Sequence, residues 1–345
     1  MKDVAALAGV SQTTVSFVMN NVPGLAITPE TEDRVRQAIK ELGYRPNAAA
    51  KTLRTQRSHS LGFVTDVLAS SPFAGDIVLG AQQAAWRHAH LLTIVNTEGD
   101  PTIEETAVEE LLERRVDGVI YASMAHRQVA PPESLREVPT VLVNCFSEEP
   151  VWASAVPDEF LGGQLATRAL TSAGHRRIGI TNLDPLIIAP PSEGRLAGYR
   201  AALAEVGVAF DTELVRNGDG DADGGYRMAL ELMRLPNPPT AIFCATDRMA
   251  MGAYDAIRDL GWRIPDDVSI VGFDNQEIIA RFLRPALSTV ALPFYELGHW
   301  AVRALLGEGE ESLDAIQHKI ACTYVERNSV APPASPRPRK RAART

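Results

Sequence analysis

From Leu61 onward the chain alternates short apolar runs with longer amphipathic stretches, and that alternation leaves few folds open. Strand-like runs stand at 61–64, 91–95, 118–121, 140–144, 178–181, 241–244 and 269–272. Helix-like stretches lie between them at 77–88, 103–115, 163–173, 196–206, 226–234 and 248–260. A strand followed by a helix and another strand builds a parallel sheet covered on both faces, because the crossover returns over one face before the next strand begins. Six or more such units in two sets predict two doubly wound lobes. Ligands of such sheets sit beyond the carboxyl ends of the strands, here in the cleft between the lobes.

The segment before this core has a different period. Val4, Ala5, Leu7 and Ala8 form an apolar face at helical spacing, and Gly9 is suited to end that helix in a left-handed turn. Ser11 stands where an N-cap belongs, and Val15, Val18 and Met19 form the stripe of a second short helix. Two short helices across a tight glycine turn read as a helix-turn-helix, or as a plain helical hairpin with a polar face. Gln12, Thr13, Thr14, Ser16 and Phe17 point away from the stripe. A third helix is expected from Thr28-Pro29-Glu30, a capping residue, a proline at the first helical position and an early acid. Its stripe is Val35, Ala38, Ile39 and Leu42, and Gly43 ends it.

Charge separates the two parts. The chain of 345 residues carries a net charge of -9. Residues 1–57 hold eight basic against five acidic side chains, and the tail from Arg337 adds five basic residues and no acid. A basic head on an acidic body lets only the head approach nucleic acid. No apolar run is long enough to span a membrane, and no basic-then-apolar leader opens the chain, so a cytoplasmic protein is expected. Cys145, Cys244 and Cys322 each sit in an apolar run and read as core residues. The histidines show no metal-ligand spacing, and no Gly-rich phosphate loop or nucleophile elbow is present. Neither a cofactor nor an enzyme activity is therefore expected.

After the third helix comes Tyr44-Arg45-Pro46-Asn47, then a short stretch of Ala, Lys and Leu through Leu53-Arg54. It has too little apolar surface to stand alone as a helix. It reads as a helical linker, or as a hinge that folds only against DNA and its dimer mate.

With these residues in hand the chain resembles the LacI/GalR family of transcription regulators. The resemblance is carried by Lys2-Asp3-Val4-Ala5, Ala8-Gly9-Val10-Ser11, Thr14-Val15-Ser16 and Tyr44-Arg45-Pro46-Asn47 with Leu53, and covers about residues 2–329. It implies an all-α helix-turn-helix headpiece (1–45) and a hinge (46–57). The α/β core that follows is periplasmic-binding-protein-like, with two doubly wound parallel-sheet lobes. Residues 58–159 and 292–320 would form the first lobe, 160–291 and 321–329 the second, and 330–345 a disordered basic tail. It further implies a homodimer on palindromic operator DNA, controlled by a sugar-like small-molecule effector in the cleft. No heptad helix follows the core, so no tetramer is expected. A solute-binding protein for carbohydrate uptake would share the core but leave the headpiece unused.

By the same resemblance, Gln12, Thr13 and Phe17 read bases, and Thr14, Ser16 and Asn20 hold phosphates. Leu53 and Arg54 enter the minor groove, with Leu53 as a wedge. Family members often carry Arg or His where Phe17 stands, so a guanine contact gives way to contact with a thymine methyl. The effector-binding set is Phe73, Asn144, Arg195, Thr246, Asp247, Asp274 and Phe294. Asp247 reads equally as the cap of the helix after it, and hinge packing is the lesser reading of Phe294. Ala222 stands where many members have an aromatic residue over the ligand. No capping side chain precedes the first helix, a loss of about 1 kcal/mol.

Overall fold

The computed structural model describes residues 1–19, 27–44, 57–70, 75–308 and 316–333. Asn20, Leu53, Arg54, Phe73, nearly all of the hinge segment and most of the basic tail lie outside the described residues. The chain divides into two units, Met1–His59 and Ser60–Thr345.

Among the described residues the first unit holds three helices, α1 (Lys2–Ala8), α2 (Gln12–Met19) and α3 (Pro29–Glu41). Gly9 ends α1 at φ 64°, as the sequence predicts. Ser11 caps α2, its Oγ accepting the Thr14 amide at 3.0 Å. Val4, Ala5, Ala8, Val15, Val18, Val35 and Ala38 form the shared core. Two expected core residues lie outside it: Leu7 and Leu42 are 50% and 46% exposed. Both sit at the margin of their helical stripe, and three short helices bury only the centre of each. Thr28 stands at the N-cap of α3, but its hydroxyl meets Thr31 Oγ1 at 3.1 Å and caps no amide. Met1 likewise gives α1 no side-chain cap.

The second unit contains two six-stranded sheets. The strands are β1 (Ser60–Thr65), β2 (Leu91–Asn96), β3 (Gly118–Gln128), β4 (Thr140–Phe146), β5 (Ala153–Pro157), β6 (Ile178–Leu183), β7 (Val215–Gly218), β8 (Ala241–Cys244), β9 (Ser269–Asp274), β10 (Ser288–Ala291), β11 (Gln317–Ile320) and β12 (Thr323–Val325). The order is β11-β5-β4-β3-β1-β2 in one sheet and β12-β10-β9-β8-β6-β7 in the other. All pairs are parallel except β10 with β12. Five strands of each sheet thus follow one doubly wound order, with its switch point at the first strand. The late strands β11 and β12 extend one sheet each.

The helices between them are α4 (Gly75–Arg87), α5 (Pro101–Glu113), α6 (Glu159–Ser172), α7 (Ala189–Glu205), α8 (Ala222–Met233), α9 (Asp247–Asp259), α10 (Glu277–Ala280) and α11 (Phe294–Leu306). Along the central strands nearly every residue is buried, and the core that it faces alternates with period two. In the first sheet Leu61, Phe63, Val141 and Val143 face one core, and Val64 and Leu142 the other. In the second, Ala241 and Phe243 oppose Ile242 and Cys244 in the same way. Near-continuous apolar runs are what two covered faces require. All three cysteines are buried and free, and burial pushes the Cys145 and Cys244 thiols up to about 12. Among the described residues no helix is long and apolar enough to cross a membrane.

Helix α7 begins at Ala189, seven residues before the start expected from the sequence. Pro190 and Pro191 fall in its first turn, where proline is accepted because the missing amide has no partner to lose. Helix α7 packs closely on α6 because each presents a glycine. A Cβ at Gly163 would run into the Arg195 backbone, and one at Gly198 into the carbonyl of Phe160. Backbone cannot retreat as a side chain can, so Gly198→Ala is expected to destabilise the second unit by about 1–3 kcal/mol. Urea unfolding of the variant checks this; an unchanged midpoint would show that α6 and α7 can move apart freely.

Candidate functional site

Between the two sheets lies a cleft of about 330 Å³, lined at the carboxyl ends of their strands. The first sheet contributes the end of β3. Its pairing with β4 shifts between Ala122 and Arg127, which frees residues 123–126 from the ladder. Asp66 holds that segment: its carboxylate accepts the Met124 amide at 2.9 Å, the Ser123 hydroxyl at 2.8 Å and the Arg127 guanidinium at 3.2 Å. Met124, Ala125 and His126 therefore face the cleft. Asn144, on β4 at φ 55°, lies beside them. Its Nδ2 donates to the carbonyls of Ser123 and Met124 at 2.9 and 3.0 Å.

The second sheet and its helices contribute most of the charge. Asp158 caps α6 by accepting the Leu161 amide at 2.9 Å, which fixes Glu159 as the first residue of the helix. Arg195 lies on the facing turn of α7, and its Nε donates to Glu159 Oε2 at 2.8 Å. Its Nη1 donates to the Ala245 carbonyl and lies 3.9 Å from Asp274 Oδ1. The Phe273 ring lies under the guanidinium, 3.8 Å from its centre. His126 Nδ1 meets Glu159 Oε1 at 3.4 Å, so a chain of polar contacts runs from β3 across the cleft to Asp274.

Burial governs the electrostatics of this chain. It raises the Glu159 carboxyl, but the Arg195 charge and the His126 hydrogen bond outweigh it and hold the group below its ordinary value. Asp274 receives less compensation. Burial pushes it up to about 6, against the opposing pull of Arg195 and the Gln276 hydrogen bond.

Of the effector-binding residues expected from sequence, Asn144, Arg195, Thr246, Asp274 and Phe294 all line the cleft. Phe294, the first residue of α11, also belongs to the core of the first lobe. Asp247 is a correction: it is fully buried and absent from the lining. Its Oδ2 accepts the Gln276 amide at 2.7 Å and its Oδ1 the Thr289 hydroxyl at 2.6 Å, so it ties α9 to the ends of β9 and β10. Nor does it cap α9. Thr246 does, accepting the Met249 amide at 3.0 Å. Burial and then the Asp274 charge push the Asp247 carboxyl well above the usual range.

Four charged or titratable lining residues are missing from the sequence-based set: His126, Glu159, Asp221 and Arg248. His126 stands five residues beyond the apolar run that marks β3, where residues past a carboxyl strand end are ligand candidates. Asp221 caps α8 by accepting the Gly224 amide at 2.8 Å. On the first unit, Gln12 and Thr13 are exposed at the start of α2, while Thr14, Ser16 and Phe17 are half-buried.

The raised Asp274 carboxyl makes stability depend on pH with a definite sign. The folded protein holds that proton to about pH 6, whereas an unfolded chain loses it near 3.8. Stability from this group is greatest below the lower value and falls as pH rises toward 6, with the full cost present above it. Asp274→Asn removes that cost. Chemical denaturation of both proteins at pH 5 and 7.5 should show the variant gaining on the parent as pH rises. A difference that stays flat would mean that the carboxyl is not proton-linked.

Comparison with known proteins places both units. The family model described as bacterial regulatory proteins, lacI family, matches residues 1–47, and a periplasmic binding protein-like domain matches 167–330. The ribose operon repressor of Haemophilus influenzae is 35% identical over 308 residues, 89% of this chain and 90% of that protein. The HTH-type transcriptional repressor PurR of Mannheimia succiniciproducens is 33% identical over 323 residues, 93% of each chain. Among solved structures, the Lac repressor dimer bound to operator and the anti-inducer ONPF matches with a TM-score of 0.76 at 27% identity, over 95% of this chain and 98% of that one. The transcriptional regulator CelR in complex with cellobiose matches with a TM-score of 0.63 at 30% identity, over 95% and 99%. This chain belongs to the LacI family of bacterial regulatory proteins.

Proposed function

We propose that this protein is a transcriptional repressor that binds a palindromic operator as a homodimer and is controlled by a small sugar-like molecule in its inter-lobe cleft. The observation that carries this reading is the presence, in one chain, of a capped α2 with exposed Gln12 and Thr13 and of a cleft lined by Arg195 and Asp274. A protein that only bound solutes would have no use for α2. The role is binding and regulation in the cytoplasm, not catalysis.

In this reading α2 lies in the major groove. Gln12 pairs with adenine, while Thr13 and Phe17 contact thymine methyl groups. Thr14, Ser16 and Asn20 hold phosphates and set the register. Leu53, with Arg54, opens a central base step from the minor groove. Residues 1–45 serve as headpiece and 46–57 as hinge. The two lobes divide at 58–159 with 292–320, and 160–291 with 321–329. Asn144, Arg195, Thr246, Asp274 and Phe294 contact the effector, and Phe73 joins them. Effector control requires that the ligand bind one arrangement of the lobes better than another. The complex of CelR with cellobiose supports a sugar-like ligand.

Selection of bound sequences from a random duplex pool, with the full-length protein at stated salt, tests the proposal. A palindrome with A/T pairs opposite Gln12 and Phe17 is expected. Phe17→Arg should shift its position toward guanine, with about 1–3 kcal/mol of discrimination. Binding that is salt-sensitive but blind to sequence would remove operator recognition by α2.

A further inference from the structure

We infer that the effector is rich in hydrogen-bond donors and carries no negative charge, a polyol or an amine-bearing polyol, and that the cleft rejects acids and phosphate esters. This class rests on the cleft being an effector site, as proposed above, and narrows what that site accepts.

Most donors on the lining are already committed. Asn144 uses its Nδ2 on two backbone carbonyls. Thr246 donates its hydroxyl to the Gly220 carbonyl at 2.9 Å. Arg195 is the cation at the floor, and two carboxylates flank it, Glu159 at 2.8 Å and Asp274 at 3.9 Å. Its ring-side face is closed by Phe273. A ligand anion would therefore compete with two buried carboxylates for one guanidinium.

Acceptors are available by contrast. Asp274 Oδ1 lies beyond hydrogen-bond distance of Arg195, and its Oδ2 accepts from Gln276 at 2.9 Å. Asp221 adds a third carboxylate to the lining, exposed as Arg248 is and with one oxygen already on the Gly224 amide. His126 turns Nδ1 to Glu159. A carboxylate only accepts, so Nδ1 carries its proton there. Arg248 is exposed to solvent, where screening is strong, and its charge already acts on Asp274.

The lining thus opposes the side chains of Glu159, Asp274 and Asp221 to those of Arg195 and Arg248. Hydroxyl or ammonium groups find carboxylate oxygens there, and remaining guanidinium protons reach a hydroxyl oxygen. A phosphate or carboxylate finds like charge, which rejects it without any steric clash. Leu183, Leu292 and Phe294 supply an apolar wall for the C–H face of a ring.

Thermal melting and calorimetric titration of the full-length protein test this with matched probes at constant ionic strength. The neutral and amine set is glucose, ribose and glucosamine; the anionic set is gluconate, glucose 6-phosphate, ribose 5-phosphate and inorganic phosphate. At least one neutral or amine probe should bind, with its acid or phosphate counterpart at least ten-fold weaker. Asp274→Asn, checked for native melting, should weaken the neutral probe at least ten-fold. A phosphate ester or acid that binds more tightly than its neutral parent overturns the class and leaves the effector site standing. No binding by any probe, together with operator binding indifferent to all of them, overturns the effector site and the class with it.

Discussion

A guanidinium taken out of water between two carboxylates is stable only if all three are held in register, since each ion loses several kcal/mol of hydration on burial. The second lobe is built around meeting that condition. Glu159 and Arg195 come from adjacent helices whose backbones approach through Gly163 and Gly198, so the ion pair and the helix contact are one feature. Phe273 closes the face of the guanidinium, and Asp274, the next residue, turns toward it at φ 104°. The strand end that supports the ring therefore also supplies the second carboxylate. Loss of the close helix contact would leave a buried charge without its partner, the costliest way to disturb such a group.

From this floor the cleft is completed by the opposite lobe. The β3 irregularity puts His126 within reach of Glu159, and Asp66 secures the segment that carries it. Polar contact thus crosses between sheets that share a strand order but no hydrogen-bonded strands. A group that both lobes touch is where a small molecule can bias their arrangement, because its contacts differ between arrangements. The headpiece obeys simpler rules. Its seven buried side chains are small or β-branched, and α2 starts from a serine cap.

Much of this was legible in the sequence because it depends on local period. Apolar runs and helical stretches located the β1–β4, β6, β8 and β9 strands, and Gly9 and Ser11 marked the turn of the headpiece. Arg195 and Asp274 were found through resemblance, as a residue preceding a Leu-Ala-Gly run and one ending a strand. What escaped detection depends on tertiary context. Asp247 follows a strand and precedes a helix just as a cap would, and only the packing of Thr289 and Gln276 against it shows its structural role. His126 escaped because an irregular strand end has no period. Glu159 escaped because its partner lies thirty-six residues away on another helix. The short strands β11 and β12 carry no pattern of their own; distant neighbours recruit them as sheet edges.

The order of elements along the chain has a consequence for synthesis. Five strands of the first lobe have been synthesised by Pro157, yet Phe294, Leu297, Trp300 and Ala301 of α11 complete that lobe's core. Gly80 and Gly298 form the close contact between α4 and α11, which brings together segments more than two hundred residues apart. The first lobe must therefore wait, with apolar surface uncovered, while the whole second lobe is made. At about 5–20 residues per second that interval lasts on the order of ten seconds, long enough for chaperone capture or premature association. Among the described residues the headpiece core draws on residues 4–44, so it closes at the outset. A nascent chain of this design thus carries a finished DNA-reading domain well before it carries a finished sensor.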